Sequence, residues 1–94
     1  MFTQIAPQRV QHSLGYIVQI GSRYSIQYLD HDVIAEMEAE LGKPTYIYAY
    51  TLTVRSRDGT QIETDDTQRT LLITRIKAGL DALNVNYVIV NAQS

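Results

Sequence analysis

Hydrophobic and polar residues alternate over residues 10–20, and a period of two is typical of a strand with one wet side. One face of this strand is largely apolar and aromatic: Val10, His12, Leu14, Tyr16, Val18 and Ile20. Gly21-Ser22 suits a tight turn, because glycine tolerates positive φ. A return strand is therefore predicted from about residue 23 to residue 29.

The period changes in the segment DHDVIAEMEAELGKP, residues 30–44, where a first helix is predicted. Its apolar residues recur at spacings of three and four, as on one face of a helix: Ile34, Met37 and Leu41. Asp30 or Asp32 is expected to cap this helix by accepting backbone N–H bonds. Gly42 suits the left-handed position after a helix, and Pro44 prevents its continuation.

β-branched and aromatic residues dominate the segment TYIYAYTLTVR, residues 45–55, which predicts a strand. Asp58-Gly59 is a strong hairpin signal. The segment TQIET, residues 60–64, is therefore expected to return as a further strand. A last strand is predicted in VNYVIV, residues 85–90.

The segment DDTQRTLLITRIKAGLDALN, residues 65–84, predicts a second helix. Asp65 or Asp66 can cap it, and Gln68 stands three residues after Asp65, as in a capping box. Four leucine and isoleucine residues form the stripe expected to be buried: Leu72, Ile76, Leu80 and Leu83. Gly79 lets another element approach closely, and Asn84 can end the helix in a left-handed conformation.

These elements give the order β-β-α-β-β-α-β, which indicates an α+β two-layer sandwich. Without the first strand, the order is the split βαβ pattern of ferredoxin-like folds, with two helices on one face of a mostly antiparallel sheet. The alternative is a more curved α+β sheet whose first helix is peripheral. Residues 1–8 are expected to be a loose N-terminal arm, since Pro7 opposes regular pairing.

Composition narrows the classes of protein. A chain of 94 residues with 45% hydrophobic content predicts a single globular domain, residues 1–94. The formal net charge of −2 argues against a nucleic-acid or membrane-surface binder, which would need a basic patch. No cysteine is present, which fits a reducing compartment. No signal peptide or membrane span is seen, so a cytoplasmic location is expected.

Three tyrosines at every second position, Tyr46, Tyr48 and Tyr50, leave two interpretations open. Either their rings pack in the core with hydroxyls at its rim, or they line an open sheet face that contacts a partner, because tyrosine is enriched in protein interfaces. In both cases Leu52 and Val54 are expected on the tyrosine side of the strand. Base stacking on these rings is disfavoured, because neighbouring basic residues are missing.

The first predicted helix is acidic and carries Glu36 and Glu40 without a basic residue before Lys43. A run of charge is usually a solvated surface. The alternative is a docking face for a basic partner, to which the glutamates would contribute steering.

No motif predicts catalysis, a metal site or a cofactor. In the segment DHD, residues 30–32, consecutive side chains point apart, so a capping Asp is favoured over metal ligation. His12 is expected to be a partly buried, hydrogen-bonded histidine. A ligand pocket between sheet and helices would instead draw polar groups from His12, Tyr16 and Tyr48.

The segments GYIVQIGSRYSIQY and YIYAYTLTVRSRDGTQIETDDTQRTLLITRIKAGLDALNVNYVIV resemble small immunity proteins of bacterial polymorphic toxin systems. The resemblance lies in the order of elements, an N-terminal hairpin and then strand, linker, amphipathic helix and short strand. It implies a non-catalytic protein that binds and blocks a toxin.

The sequence therefore predicts a small non-enzymatic module that binds a protein partner or self-associates, with a homodimer expected. Its candidate contacts are the three tyrosines with Glu36 and Glu40. The alternative is a ferredoxin-like dimer that binds a small molecule or acts as an enzyme. The two hypotheses predict different interiors. A protein-binding module is expected to have a fully packed core, whereas a small-molecule-binding dimer is expected to have a cavity around His12.

Overall fold

A computed structural model describes residues 1–22 and 24–91, without the side chain of Ser22. This part of the chain forms seven strands and one helix. The strands are β1 (Phe2–Ala6), β2 (Arg9–His12), β3 (Ile17–Ser22), β4 (Ser25–Leu29), β5 (Val33–Glu40), β6 (Thr45–Ser56) and β7 (Tyr87–Val90), and the helix is α1 (Asp66–Ala82).

All seven strands belong to one sheet, which curls into a half-barrel. The strands lie side by side in chain order, so each hairpin pairs neighbours in sequence. Pairing is antiparallel from β1 to β6, and α1 then crosses over so that β7 runs parallel to β6. The helix packs against β1–β4 on one side of the sheet, called here the inner face. The opposite side is the outer face.

The two-helix, ferredoxin-like prediction is wrong, because residues 33–40 form the central strand β5 instead of a helix. In this segment Ala35, Met37 and Ala39 are buried, and glutamates alternate with them toward the outer face. Alanine and glutamate favour helices in isolation. Here the period of two, satisfied by partners on β4 and β6, overrides that propensity. The curved sheet of the alternative is present, but its peripheral helix is not.

The N-terminal prediction is also corrected. Residues 10–20 are not one strand but the hairpin β2–β3, joined by a turn in which Gly15 has a φ of 105°. Residues 2–6, expected to be a loose arm, pair with β2 as β1. Residues 21–22, predicted to form a turn, are instead the last two residues of β3, and the predicted strand start at Arg23 lies outside the described residues.

The hairpin signal at Asp58-Gly59 is confirmed by a turn in which Gly59 has a φ of 93° and its N–H donates to Ser56. The return strand predicted over residues 60–64 is reduced to a single bridge between Gln61 and Arg55.

The predicted helix over residues 65–84 is confirmed. Asp65 caps α1, and the reciprocal bonds of a capping box join it to Gln68. Asn84 follows the helix with a φ of 60°, in the left-handed region. Ile76 and Leu80 are fully buried, and the other two positions of the predicted stripe pack against the core.

The core lies between α1 and the inner face. Among the described residues it contains fourteen that are buried and apolar or aromatic: Val10, Tyr16, Val18, Ile26, Tyr28, Ala35, Met37, Ala39, Ile47, Ala49, Leu52, Val54, Ile76 and Leu80. Tyr16 comes from the connection between β2 and β3, and the others come from α1 and from the strands β2 to β6. Phe2 of β1 and Ile89 of β7 pack against the margin, so the single helix and the curl of the sheet together enclose the core.

A large bulge interrupts β6. Its pairing with β5 has one register from Val33↔Ser56 to Glu36↔Thr53 and another from Glu38↔Tyr48 to Glu40↔Tyr46. Between them β6 carries three more residues than β5, an enlarged form of the extra residue in an ordinary β-bulge. Burial therefore changes phase along β6, and the expectation that Leu52 and Val54 share a face with the tyrosines is wrong.

Thr51 fills this bulge. Its hydroxyl accepts the N–H of Glu38 at 2.8 Å and donates to the carbonyl of Tyr48 at 2.6 Å. Two backbone groups that the register break removes from the ladder are thereby satisfied.

We predict that Thr51→Val destabilises the fold by about 1–2 kcal/mol. Valine has the same shape as threonine but leaves the N–H of Glu38 and the carbonyl of Tyr48 without a hydrogen-bond partner. Urea unfolding measures the change. Thr53→Val on the same strand is the control, since Thr53 is exposed, and a change within about 0.5 kcal/mol is expected. Equal losses in both variants would contradict a specific role for Thr51.

Gly79 is the point of closest approach between α1 and the sheet. A Cβ at this position would lie 2.4 Å from the Cβ of Val18 on β3. We predict that Gly79→Ala destabilises the fold by about 2 kcal/mol, although alanine favours a helix by about 1 kcal/mol. Thr74→Ala, on the exposed side of α1, should be neutral or stabilising in the same thermal unfolding measurement. A stabilised Gly79→Ala variant would show that the helix can shift freely.

Candidate functional site

The tyrosines of β6 lie on the outer face, away from the core. Tyr46 is 42% exposed and Tyr50 is 40% exposed, while Tyr48 between them is partly covered. Their neighbours Ile47 and Ala49 point inward and are buried. The tyrosines therefore line an open sheet face instead of the core, and contact of this face with a partner stays a prediction.

Strand register places glutamates beside these rings. Glu38 pairs with Tyr48 and Glu40 pairs with Tyr46, so their side chains share the outer face. On the other side of β6, Val88 and Val90 of β7 pair with the same two tyrosines. We call this surface the tyrosine face; it consists of Tyr46, Tyr48, Tyr50, Glu36, Glu38, Glu40, Val88 and Val90.

The tyrosine face is aromatic at its centre and negatively charged along β5. The rings of Tyr48 and Tyr50 meet edge to face, with centroids 6.0 Å apart. The Tyr48 hydroxyl donates to Glu40 at 3.3 Å. Partial burial, followed by the charge of Glu40, raises the pKa of Tyr48 above its usual value, so the hydroxyl stays a donor at neutral pH.

A groove opens at one end of the tyrosine face, where the β3–β4 turn approaches the end of β5. It is lined by two tyrosines, two glutamates and two apolar residues: Tyr24, Tyr48, Glu38, Glu40, Ala39 and Leu41. Aromatic faces and carboxylates both attract cations. The groove therefore suits a positively charged side chain.

Beyond the tyrosine face, one row of the outer face is polar and bonded to itself, and the row next to it is apolar, with Ile17, Leu29 and Ile34 paired across β3, β4 and β5. Directly paired residues form a ladder across four strands, in which Arg9 donates to Gln19 at 2.6 Å and Gln19 donates to Gln27 at 2.6 Å. Gln27 then donates to Glu36 at 2.8 Å. Glu36, expected as a partner contact, thus ends this ladder and forms the boundary of the tyrosine face.

At the margin of the core, a partly exposed polar cluster links β4 to the helix. The buried Tyr28 hydroxyl donates to Asp30 at 2.8 Å and accepts from Arg75 at 2.9 Å. Arg75 and Asp30 also form an ion pair at 3.7 Å. Asp30 caps no helix, contrary to the prediction, and serves instead to hold Tyr28 and Arg75 of α1 together.

Each group of this cluster has a displaced pKa. Burial, and then the hydrogen bond to Asp30, raise the pKa of Tyr28 to about 12. Burial alone would raise the pKa of Asp30, but the hydrogen bonds from His31 and Tyr28 and the charge of Arg75 together lower it. These directions are those of a structural ion pair, with no group poised to exchange a proton near neutral pH.

His12 and Tyr16 are brought together, as the pocket hypothesis requires, but their rings stack face to face at 4.7 Å. Phe2 packs edge-on against both, and the Arg75 guanidinium lies 4.8 Å from the centre of the Tyr16 ring. Burial, with the N-terminal charge second, lowers the pKa of His12, so the ring is neutral at pH 7. Tyr48 lies on the opposite side of the sheet and contributes nothing to this cluster.

Three contributors to the tyrosine face were missed by sequence reasoning: Glu38, Val88 and Val90. Glu38 follows the same alternation as Glu36 and Glu40, and that period of two was the available signal. Val88 and Val90 give no such signal, because their positions depend on the parallel pairing of β7 with β6. Within residues 1–22 and 24–91, no three His, Asp or Glu side chains converge in the way a metal site needs.

No helix in the described residues is long and apolar enough to cross a membrane. Comparisons of the chain with protein-family models, with curated proteins and with solved structures found no match.

The raised pKa of Tyr28 makes stability sensitive to alkaline pH. The folded state holds this proton more tightly than the unfolded state, whose tyrosine pKa is near 10, so stability is lost as pH rises from about 10 toward 12. We predict that wild type is more stable than Tyr28→Phe at pH 8, and that the gap narrows by about 1 kcal/mol at pH 11. Urea unfolding at both pH values measures it, and an unchanged gap would contradict the assignment.

Proposed function

We propose that this chain is a non-enzymatic protein-binding module whose tyrosine face contacts a partner surface rich in lysine and arginine. The observation that carries the proposal is the exposure of Tyr46 and Tyr50, at about two fifths of their surface, beside a row of glutamates on the outer face. Large aromatic side chains exposed together are unusual on a surface that contacts only water.

The tyrosines of β6 supply the contact area of the proposed interface. Tyrosine offers a large, rigid contact surface with few rotatable bonds and a hydroxyl at its tip, which is why it is enriched at the centre of protein interfaces. β6 holds its tyrosines on a strand whose other side is anchored in the core by Ile47 and Ala49. The rings are thus presented on a rigid element, and little ordering is needed when a partner binds.

The glutamates of the tyrosine face favour a partner surface of positive charge. The charged members of the tyrosine face are Glu36, Glu38 and Glu40, and all are negative. Facing carboxylates would be repelled, whereas lysine and arginine would be attracted and steered. An arginine in the groove lined by Tyr24 and Tyr48 would meet both ring faces and carboxylates.

The small-molecule alternative receives less support from the structure. The residues it requires are separated, with His12 and Tyr16 stacked on the inner side and Tyr48 on the outer face. The groups around His12 and Tyr16 pack ring against ring and leave the imidazole bonded to the backbone N–H of Leu14. That arrangement is a packed aromatic cluster.

An immunity-type inhibitor, which the resemblance implies, is one form of this proposal. The element order supports it, since β3 and β4 form an antiparallel pair and residues 45–90 contain the order strand, linker, helix and short strand. A cytoplasmic location, expected from the absence of cysteine, belongs to the same proposal.

The proposal is tested by placing a photo-crosslinking amino acid at Tyr46 or Tyr50, and at the exposed Gln11 of β2, on the far side of the outer face, as the control. We predict that a partner crosslinks from the two tyrosine positions only, through a segment that contains lysine or arginine. The purified partner should then bind at least about tenfold more weakly to Tyr46→Ser/Tyr50→Ser and to Glu38→Gln/Glu40→Gln, since each set removes 1–3 kcal/mol of contact.

Equal crosslinking from Gln11, or binding that neither double variant weakens, would reject the tyrosine face as the binding surface. The dependence of binding on ionic strength distinguishes the contribution of the glutamates from that of the tyrosines. Binding by wild type should weaken as ionic strength rises, and this dependence should be smaller in Glu38→Gln/Glu40→Gln than in Tyr46→Ser/Tyr50→Ser.

A further inference from the structure

The two edges of the sheet differ in how they are protected. At the β1 edge the pairing register breaks between Gln4 and Ala6, and Pro7 follows. The Gln4 side chain also donates to the carbonyls of Ala6 and Pro7, at 3.1 Å each. Bulges, proline and occupied carbonyls are the devices by which proteins stop an edge strand from pairing with another chain.

Within residues 1–22 and 24–91, the β7 edge shows no such device. Residues 85–91 read VNYVIVN, with no charged residue, no proline and no glycine, and most are β-branched or aromatic. The sheet order places no described strand beyond β7. The outward-facing Val88 is 43% exposed, so apolar surface continues from the tyrosine face to this edge.

The pairing with β6 determines which backbone groups face the open side. The N–H of Thr45 donates to the carbonyl of Asn86 at 2.8 Å, and backbone direction alternates along a strand in a parallel pair. Asn86, Val88 and Val90 therefore direct their backbone groups toward β6. The N–H and C=O groups of Tyr87 and Ile89 point to the edge.

We propose that β7 pairs with β7 of a second copy of this chain, antiparallel about a two-fold axis at Ile89. An uncharged strand brings no like charges opposite each other when it meets itself, so the edge is self-complementary. A basic partner would gain nothing from this edge, because the glutamates lie on β5, two strands away. The proposal does not depend on the proposed function.

Geometry gives the register. Directly paired residues of an antiparallel sheet share a face, so outward residues must meet outward residues. With Ile89 opposite its own copy, Val88 lies opposite the partner's Val90, and Tyr87 lies opposite the partner's Asn91. In this register the edge-facing groups of Tyr87 and Ile89 are both used. The two tyrosine faces then lie side by side on one continuous outer surface.

The proposal is tested with a pair of charge variants, by sedimentation equilibrium from about 1 to 500 µM, a range that covers dimers of ordinary affinity. Wild type is expected to dimerise. Val88→Lys/Val90→Lys places lysine opposite lysine twice, and dimerisation should weaken at least about 100-fold. Val88→Lys/Val90→Glu places each new lysine opposite a new glutamate, so the dimer should return.

The rescue depends on the register. If the axis lay at Val88 instead, Val88→Lys/Val90→Glu would bring the two introduced lysines together, and no dimer would return. Circular dichroism establishes that both variants are folded. Hydrogen exchange adds an independent measurement, since the amides of Tyr87 and Ile89 should be protected in wild type and exchange at least tenfold faster in Val88→Lys/Val90→Lys.

Three results would overturn the proposal: a wild type that stays monomeric at the highest concentration, a lysine variant that still dimerises, or a glutamate variant that does not regain the dimer. Tyr46→Ser/Tyr50→Ser distinguishes this proposal from the proposed function, because it should leave the dimer intact. If the dimer of Tyr46→Ser/Tyr50→Ser dissociates, the tyrosines form the contact between copies, and pairing through β7 is wrong.

Discussion

The bulge in β6 is the constraint on which the two faces of this protein depend. Three additional residues shift the inward and outward positions of the strand by one step, so that Ile47 and Leu52 can both be buried. Without that shift, one half of β6 would place its apolar side chains in water. Thr51 stabilises the shifted strand, because its hydroxyl hydrogen-bonds to the N–H of Glu38 and the carbonyl of Tyr48, which the break in register removes from the strand pairing.

A sheet with a single helix needs a second way to close its core, and the aromatic residues provide it. The helix approaches β3 through Gly79 and covers the inner face of the first four strands. The margin is filled by Phe2, His12 and Tyr16, which pack ring against ring, and by the bonded cluster of Tyr28, Asp30 and Arg75. Buried polar groups of this kind are stable when every member has a partner.

The outer face has two parts, which differ in whether their polar side chains hydrogen-bond to one another. From β2 to β5, Arg9, Gln19, Gln27 and Glu36 bond to one another, so the polar side chains of this row already have partners. From β5 to β7, rings and carboxylates are exposed and end at an edge without protection. The proposed binding surface and the proposed pairing edge thus lie on the same half of the sheet and meet at Val88 and Val90.

Local features of the sequence determined the parts of the structure whose bonds close within a few residues. The capping box of Asp65 and Gln68, the left-handed Asn84 and the Asp58-Gly59 turn were all predictable, because each satisfies its own backbone groups. The buried stripe of α1 followed from its period. Only the tertiary structure decided that residues 33–40 form a strand and that the tyrosines face outward. Their hydrogen bonds and neighbours come from strands distant in sequence, and helix-favouring alanine and glutamate yielded to those partners.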